Sequence, residues 1–389
     1  MKHAVMVASF DPITSGHIWV VDQGAQLFDK LTIGVGINAS KKYVFSLEEK
    51  MMALQTCFSD YPNVKIEYIG KQMLVDFARK VGATYNLRGI RNPTDYEYER
   101  VMRNINGDLD RKLTTVSLMP PRELAEVSSS IVNSFASTGF IGWEMRIIDY
   151  VPPVVVHQYI KKYINSDTDQ VERLKTRWTL LMKRLDCGTH LSAFYNLVKL
   201  YQSPNRAYHN LWHIEDCLGT LDQLIINEPQ AVQLELAIWF HDAVYEMDSG
   251  AENEDRSAEL VSNFIGELKS VKYDLSLVPA IITKATKHPM MCYHTLEGDE
   301  KTLVGYLHDL DLQGLANSEK FLLSDSRIRA EYAHVPNNVF WTKRREFFEK
   351  LLEGPIFVTK TFAECEMIAR DNIKEAVPVW NERAQPTLP

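Results

Sequence analysis

The chain has no Cys-x-x-Cys pair, no low-complexity tract and no long apolar run. Its five cysteines, Cys57, Cys187, Cys217, Cys292 and Cys365, lie far apart. That pattern argues against a disulfide framework and for reduced thiols in a cytoplasmic protein. Spanning a bilayer takes about 20 consecutive apolar residues, and no stretch approaches that length, so no membrane role is expected. Nothing resembles a signal peptide, because Met1-Lys2-His3 runs straight into a strand pattern. Positive charge is also in deficit: 43 Lys and Arg against 51 Asp and Glu leave a net charge of −8. A broad nucleic-acid surface is thereby disfavoured, whereas a local phosphate pocket is not. What remains is ordinary for a soluble globular protein, with 45% hydrophobic and 24% charged residues. At 389 residues, two domains are the natural expectation.

The stretch Ser9-Phe10-Asp11-Pro12-Ile13-Thr14-Ser15-Gly16-His17 organises the first half. An apolar run leads into it, and Ile18, Val21, Ala25 and Phe28 follow at helical spacing. A strand, a polar turn and a helix beginning at Gly16-His17 are therefore expected. Unpaired N–H groups and the positive dipole end at such a helix start suit a phosphate. A simple helix-capping turn is the alternative.

Strand-like runs recur at 4–7, 31–35, 64–69, 83–87 and 114–119, with helical patterns between them. Ser46-Leu47-Glu48-Glu49 is a capping box, Met73 to Val81 reads as a helix ending at Gly82, and a further helix is expected from Thr94 to Leu113 after Pro93. This alternation predicts a Rossmann-like parallel sheet with helices on both faces. Its ligand crevice would lie at the carboxyl ends of the strands. Four polar clusters fall on that edge: Ser9–His17, Ser40-Lys41-Lys42, Arg88-Gly89-Ile90-Arg91 with Glu99, and Ser128-Ser129-Ser130. Each alone reads equally as a solvated or capping group. Together they form one anion pocket suited to a triphosphate and a second phosphate.

The order Ser-Phe-Asp-Pro-Ile-Thr-Ser-Gly-His, Ser-Lys-Lys, Phe-Ser-Leu-Glu-Glu, Arg-Gly-Ile-Arg-Asn-Pro-Thr-Asp-Tyr-Glu-Tyr-Glu and Val-Ser-Ser-Ser resembles the bacterial phosphopantetheine adenylyltransferases over about residues 1–162. The resemblance implies the nucleotidyltransferase fold. It also implies adenylyl transfer from ATP to 4′-phosphopantetheine with Mg²⁺, giving dephospho-coenzyme A and pyrophosphate. His17 would stabilise charge at the α-phosphate, aided by Lys41 and Arg91. Ser9, Lys41, Met73 and Arg88 would bind the acceptor. Ser9, Phe10, His17, Gly89, Ile90, Arg91, Glu99, Ser128, Ser129 and Ser130 would bind ATP. Members of that family are typically hexameric, so a homo-oligomer is expected. The chain departs from the family at Met6-Val7-Ala8, where Tyr-Pro-Gly is usual, and at Leu124-Ala125-Glu126, where an aromatic-Ser-Phe triplet is usual. Asn133 stands where a basic residue is common. A different acceptor or nucleotide is the alternative these changes raise.

After the polar stretch Asn165–Asp169, strand signals vanish and amphipathic patterns continue from about 170 to 374. The division is placed at 1–164 and 165–389, with an α/β first domain and an all-α second one. Leu236 to Phe240 is apolar all round and reads as a buried helix carrying His241-Asp242. A buried His-Asp pair is costly unless partnered or bound to metal. His209 and His213, one helical turn apart, and His308-Asp309-Leu310-Asp311 supply further candidate ligands.

The motifs Tyr-His-x-x-x-His-Ile, Phe-His-Asp-Ala-Val-Tyr, Asn-Glu-x-x-Ser-Ala, Asp-x-Asp-Leu and Glu-Tyr-Ala-His-Val resemble the HD superfamily of metal-dependent phosphohydrolases. That resemblance implies a divalent transition metal or Mg²⁺ on His213, His241, Asp242 and Asp309, with Asp311 the rival to Asp309. Glu254 becomes a candidate general base, with a helix-capping acid as the alternative. His288 is a candidate for substrate or a second metal, with a surface histidine as the alternative; Arg206, Arg329 and Tyr332 are candidate substrate or phosphate contacts, and His209 a supporting residue. The substrate would be an unidentified phosphorylated small molecule. The alternative is a non-catalytic regulatory or oligomerising module.

Overall fold

The computed structural model describes residues 1–37, 41–138, 142–247, 252–286 and 293–385. The apolar runs of the first half form strands β1 (His3–Ala8), β2 (Lys30–Gly36), β3 (Val64–Gly70), β4 (Tyr85–Gly89) and β5 (Thr114–Leu118). They pair in parallel in the order β3-β2-β1-β4-β5. Ala4, Val5, Leu31, Ile33 and Leu87 are wholly buried, as expected for strands covered by crossover helices. Between and after the strands lie α1 (Ser15–Leu27), α2 (Leu47–Phe58), α3 (Leu74–Val81), α4 (Pro93–Leu109), α5 (Ser129–Ala136), α6 (Glu144–Ile147) and α7 (Pro153–Tyr163).

Local chemistry sets these boundaries. Ser46 Oγ accepts from the Glu49 N–H at 3.2 Å while Glu49 Oε2 accepts from the Ser46 N–H at 2.7 Å. A cap of this kind is worth about 1 kcal/mol. Asn92 caps α4 and Ser128 caps α5. Gly82 ends α3 with φ of +75°, a conformation that favours glycine. Helix α4 stops at Leu109 rather than the expected Leu113, because Asp110 turns into extended backbone and its side chain accepts from the Lys112 N–H.

The strand order reverses between β1 and β4, so the turns after these two strands open one crevice. Helix α1 lies close on β4: a Cβ added to Gly24 would sit 2.4 Å from Leu87, and one on Gly89 would sit 2.9 Å from Val20. That close packing fixes the start of α1 against the end of β4.

Two compact units divide inside α7, between Tyr159 and Ile160. The sequence reading placed the division at the polar stretch that follows this helix. The second unit contains α8 (Thr168–Leu185), α9 (Leu191–Tyr201), α10 (Leu211–Leu221), α11 (Glu228–Phe240), α12 (Asn253–Glu267), α13 (Val278–Ala285), α14 (Gly298–Leu312), α15 (Ser318–Glu331), α16 (Asn337–Leu351) and α17 (Cys365–Ala384). No strand follows β5 among the described residues, as the all-α reading expected. Helix α17 runs beyond the expected end at 374 and carries Pro378 inside it.

Helix α11 forms the centre of this unit, buried from Val232 to Phe240. Trp239 meets Trp178 edge-to-face at 5.5 Å, and Phe194, Phe240 and Phe264 pack around Trp178. Burying one large apolar side chain stabilises by about 1.5–3 kcal/mol, so this cluster anchors the C-terminal end of α11, where His241 follows. Glu235, buried in the same helix, is paired with Arg177 at 2.9 Å and Arg184 at 2.6 Å. Among the described residues, no helix is long and apolar enough to cross a membrane.

Candidate functional site

In the first unit the β1–α1 turn shapes His17. Its Nδ1 accepts from the Thr14 backbone N–H at 3.1 Å and lies 2.9 Å from Thr14 Oγ1. A backbone N–H can only donate, so the neutral ring carries its hydrogen on Nε2. Burial, then the charges of Arg91, Arg88 and Lys41, lower the His17 pKa to about 4. The neutral imidazole is thus an Nε2–H donor set among three cations at the positive end of α1. A Cβ on Gly16 would meet nothing nearer than 3.7 Å, so packing within the chain does not demand glycine there.

The cations are held differently. Arg88 donates to Glu99 through Nε at 2.8 Å and again through Nη2, while Nη1 donates to the Val7 carbonyl at 2.6 Å. Glu99, expected to hold a nucleotide, pairs with Arg88 and orients it. Arg91 Nε donates to Asp95 at 2.9 Å and its Nη1 to the Val127 carbonyl at 2.8 Å. Lys41 is exposed.

Of the serines, Ser128 Oγ caps α5, Ser129 Oγ donates to the Pro12 carbonyl at 2.8 Å, and Ser130 is exposed. Phe10 has φ of +44° and is buried, its ring 5.2 Å from that of His17, so its side chain is not open to a nucleotide base. Ile90 is buried and its N–H donates to the Leu118 carbonyl, beside Gly89 at the end of β4. Ser9 is half-buried, and Met73, at the head of α3, is exposed. Ser40 and His288 lie outside the described residues.

Three further residues take parts that the sequence reading did not assign. Asp11 accepts from the Val44 and Phe45 N–H groups at 2.9 and 3.0 Å and pairs with Lys50 at 3.3 Å. Lys50 is only 6% exposed. Each buried ion loses several kcal/mol of hydration, roughly, so the pair depends on these extra N–H donors. Asn133, in place of the usual basic residue, donates to the Asp11 carbonyl at 2.9 Å and accepts from the Tyr159 hydroxyl. The buried Asp-Pro at the head of the motif was the available signal for this hub.

In the second unit, His213, His241, Asp242 and Asp311 each bring one ligand atom within 4.8 Å of all the others. The imidazole Nε2 atoms of His213 and His241 are 3.2 Å apart. Asp311 lies 3.1 Å from His213, and Asp242 lies 3.2 Å from His241. His241 Nδ1 donates to the Ile238 carbonyl at 2.9 Å, which turns the Nε2 lone pair toward the cluster. Burial works against protonating His241, yet Asp242 and Asp311 outweigh it and raise its pKa well above the ordinary imidazole value. Burial likewise opposes charge on Asp242, but the His241 charge lowers its pKa. Four converging acceptors of this kind require positive charge between them, supplied by protons or by a divalent cation. Two imidazoles and two carboxylates fit such a cation.

Asp309 is not in the cluster. Residues two apart on a helix point about 200° away from one another, given 3.6 residues per turn. Asp309 turns to the segment after α16, accepting from the Val358 N–H at 2.9 Å and from the Thr359 N–H and Oγ1 at 2.8 and 2.5 Å. Burial raises its pKa to about 6 against the pull of these donors. Neighbouring His308 spans the carbonyls of Ala285 and Ile356, both at 3.1 Å.

Two expected phosphate contacts make hydrogen bonds within the chain. Arg206 donates to the carbonyls of His209, Asp242 and Ala243 at 2.6–3.0 Å, and Arg329 donates to Tyr332, Val335 and Asn337. Both are buried, and among the described residues the Arg206 Nε alone of its guanidinium nitrogens has no hydrogen-bond partner. Tyr332 meets the Tyr245 hydroxyl at 3.0 Å. Glu331, missed from sequence, accepts from His209 Nδ1 at 2.7 Å and from three consecutive N–H groups, Ala207 to His209. Glu254 lies near the start of α12, one of its carboxylate oxygens buried without a hydrogen-bond partner among the described residues.

The cytidylyltransferase-like family matches residues 5–135. A phosphopantetheine adenylyltransferase of Chromobacterium violaceum is 44% identical over 163 residues, which are 42% of this chain and 98% of that protein. One from Neisseria meningitidis is 41% identical over 162 residues, covering 42% and 94%. One from Caldanaerobacter subterraneus subsp. tengcongensis is 35% identical over 166 residues, covering 43% and 100%. Through the unit that ends at Tyr159, the chain belongs to the phosphopantetheine adenylyltransferase family.

Proposed function

We propose that the first unit transfers the adenylyl group of ATP to 4′-phosphopantetheine. The observation that carries this reading is the neutral His17, its Nε2–H among Lys41, Arg88 and Arg91 at the start of α1. An oxygen of the acceptor phosphate attacks the α-phosphorus, the α–β bridging bond breaks, and pyrophosphate leaves with that electron pair. Dephospho-coenzyme A is the other product. His17 donates to an α-phosphate oxygen as its negative charge grows, Lys41 and Arg88 hold the acceptor phosphate, and Arg91 draws charge toward the departing phosphates. Positioning and electrostatics suffice for the rate, without a covalent intermediate. Asp11, Asp95 and Glu99 are each engaged by a cation, so Mg²⁺ enters as part of the nucleotide substrate.

The segment Leu124-Ala125-Glu126 borders this pocket, since the Leu124 carbonyl would be 4.0 Å from a Cβ on Gly16. A nucleotide other than ATP is the reading it favours as second. Competition between ATP and CTP over several phosphorylated acceptors decides. Preference for ATP with 4′-phosphopantetheine supports the first reading, and preference for another pair replaces it.

For the second unit we infer a metal-dependent phosphohydrolase of the HD type, acting on a phosphorylated small molecule. Its support is the set of four acceptors on α10, α14 and the end of α11. His213, His241, Asp242 and Asp311 would hold a divalent cation, which when bound lowers the pKa of water and polarises phosphoryl oxygen. His241 is oriented for this by Ile238, and Arg206 fixes the backbone of Asp242 and Ala243. Glu254 is the candidate base for an attacking water. The test is phosphate release from nucleotides and phosphate esters with Mn²⁺, Co²⁺, Ni²⁺, Fe²⁺ or Mg²⁺. Loss of release in Asp242→Ala, and in Glu254→Gln with metal retained, supports catalysis. Bound metal without any release favours a regulatory module.

A further inference from the structure

We propose that Asp11 and Lys50 form a buried strut that sets Lys41 at its distance from His17, making both of them positioning residues for acceptor binding. The inference rests on the transferase reading of the first unit and adds residues that make no contact with substrate in it.

Lys41 is exposed and has no ion-pair partner among the described residues, so its backbone must place it. That backbone is fixed just downstream. Asp11 receives the N–H groups of Val44 and Phe45, one on each carboxylate oxygen. Lys50, one turn into α2, sits 3.3 Å from the same carboxylate, and its ammonium lies 3.5 Å above the ring of Tyr43. Tyr43, Val44 and Phe45 are thus gripped from two sides immediately after Lys41.

The other end of the strut is the turn that carries His17. The Asp11 carbonyl is held by Asn133 and the Pro12 carbonyl by Ser129, both from α5. Phe45 packs on Tyr159 at 4.7 Å, and Gln158 donates to the Glu49 carbonyl at 2.7 Å, so α7 backs the same junction. One carboxylate therefore joins the turn after β1 to the loop after β2. Lys41, Arg88 and Arg91 repel one another across the pocket, and a mobile loop would let Lys41 retreat into solvent.

A double-mutant cycle on the full chain tests the strut, with Lys50→Met, Lys41→Met and their combination. Expected is a rise of about tenfold in the acceptor KM for Lys50→Met, with the ATP KM changed less than about twofold. In the Lys41→Met background, Lys50→Met should add less than about twofold, because its effect passes through Lys41. Lys50→Arg should recover most of the loss. If Lys50→Met fails to fold, Asp11→Asn is expected to give the same acceptor-specific pattern. Independent, multiplying effects, or equal losses for both substrates, overturn the strut while leaving the transferase reading intact. Failure of the wild-type chain to release pyrophosphate with any acceptor removes that reading and the strut with it.

Discussion

The imidazoles of His213 and His241 face each other Nε2 to Nε2 at 3.2 Å, and the Ile238 carbonyl directs the second of them inward. With Asp242 and Asp311 on the same centre, the site is built to hold positive charge. Metal analysis of purified protein should find a bound divalent ion that Asp311→Ala removes. Asp309→Asn should retain it. The second change should instead lower stability by about 1–3 kcal/mol, the range for disrupting hydrogen bonds at a buried polar group. Metal loss in Asp309→Asn with retention in Asp311→Ala would invert the assignment.

The His17 ring should titrate near 4 in the folded protein, far below the ordinary imidazole value of 6.5. Ring-nitrogen NMR should find the Nε2–H tautomer at neutral pH. The sign follows from linkage: between the two values the unfolded chain binds a proton that the folded one refuses. The contribution of this group is therefore complete above pH 6.5 and is lost as pH falls toward 4. A midpoint near 6.5 would refute the pocket's electrostatics.

Glu99 holds Arg88 through two guanidinium nitrogens. Both bonds end on one oxygen, Oε1, so Glu99→Gln keeps the acceptor but removes its charge, and the acceptor KM should rise by about tenfold or less, with little change in the melting temperature. A larger effect on the ATP KM than on the acceptor KM would return Glu99 to the nucleotide.

Arg329 is buried and donates to the carbonyls of Tyr332 and Val335 and to Asn337. Burial lowers its pKa to about 10. Arg329→Met should destabilise the second unit by about 2–4 kcal/mol, leaving three acceptors unsatisfied, while metal content persists. Unchanged stability with lost phosphate binding would restore it as a substrate contact.

Much of the first unit was legible because its signals are local. The strands read as apolar runs, Ser46 and Glu49 announced their capping box, and Gly82 marked the end of α3. Side-chain roles were less legible where a partner lies far along the chain. Nothing near Asp11 in sequence announces Lys50, and nothing near Glu331 announces the N–H groups of residues 207–209. The choice between Asp309 and Asp311 had no local answer either. Helix α14 buries Leu303, Leu307, Asp309 and Leu310 on several sides, so amphipathicity could not say which carboxylate faces α10 and α11. Arg206 and Arg329 were incompletely legible for a related reason: a motif arginine reads as an anion ligand, and the carbonyls around it lie far along the chain or are set by the fold.

The most direct test of adenylyl transfer is exchange of labelled pyrophosphate into ATP by the full chain. Direct attack by the acceptor phosphate predicts exchange that requires dephospho-coenzyme A and falls by orders of magnitude in His17→Ala. Exchange in the absence of dephospho-coenzyme A, or none in its presence, would contradict it.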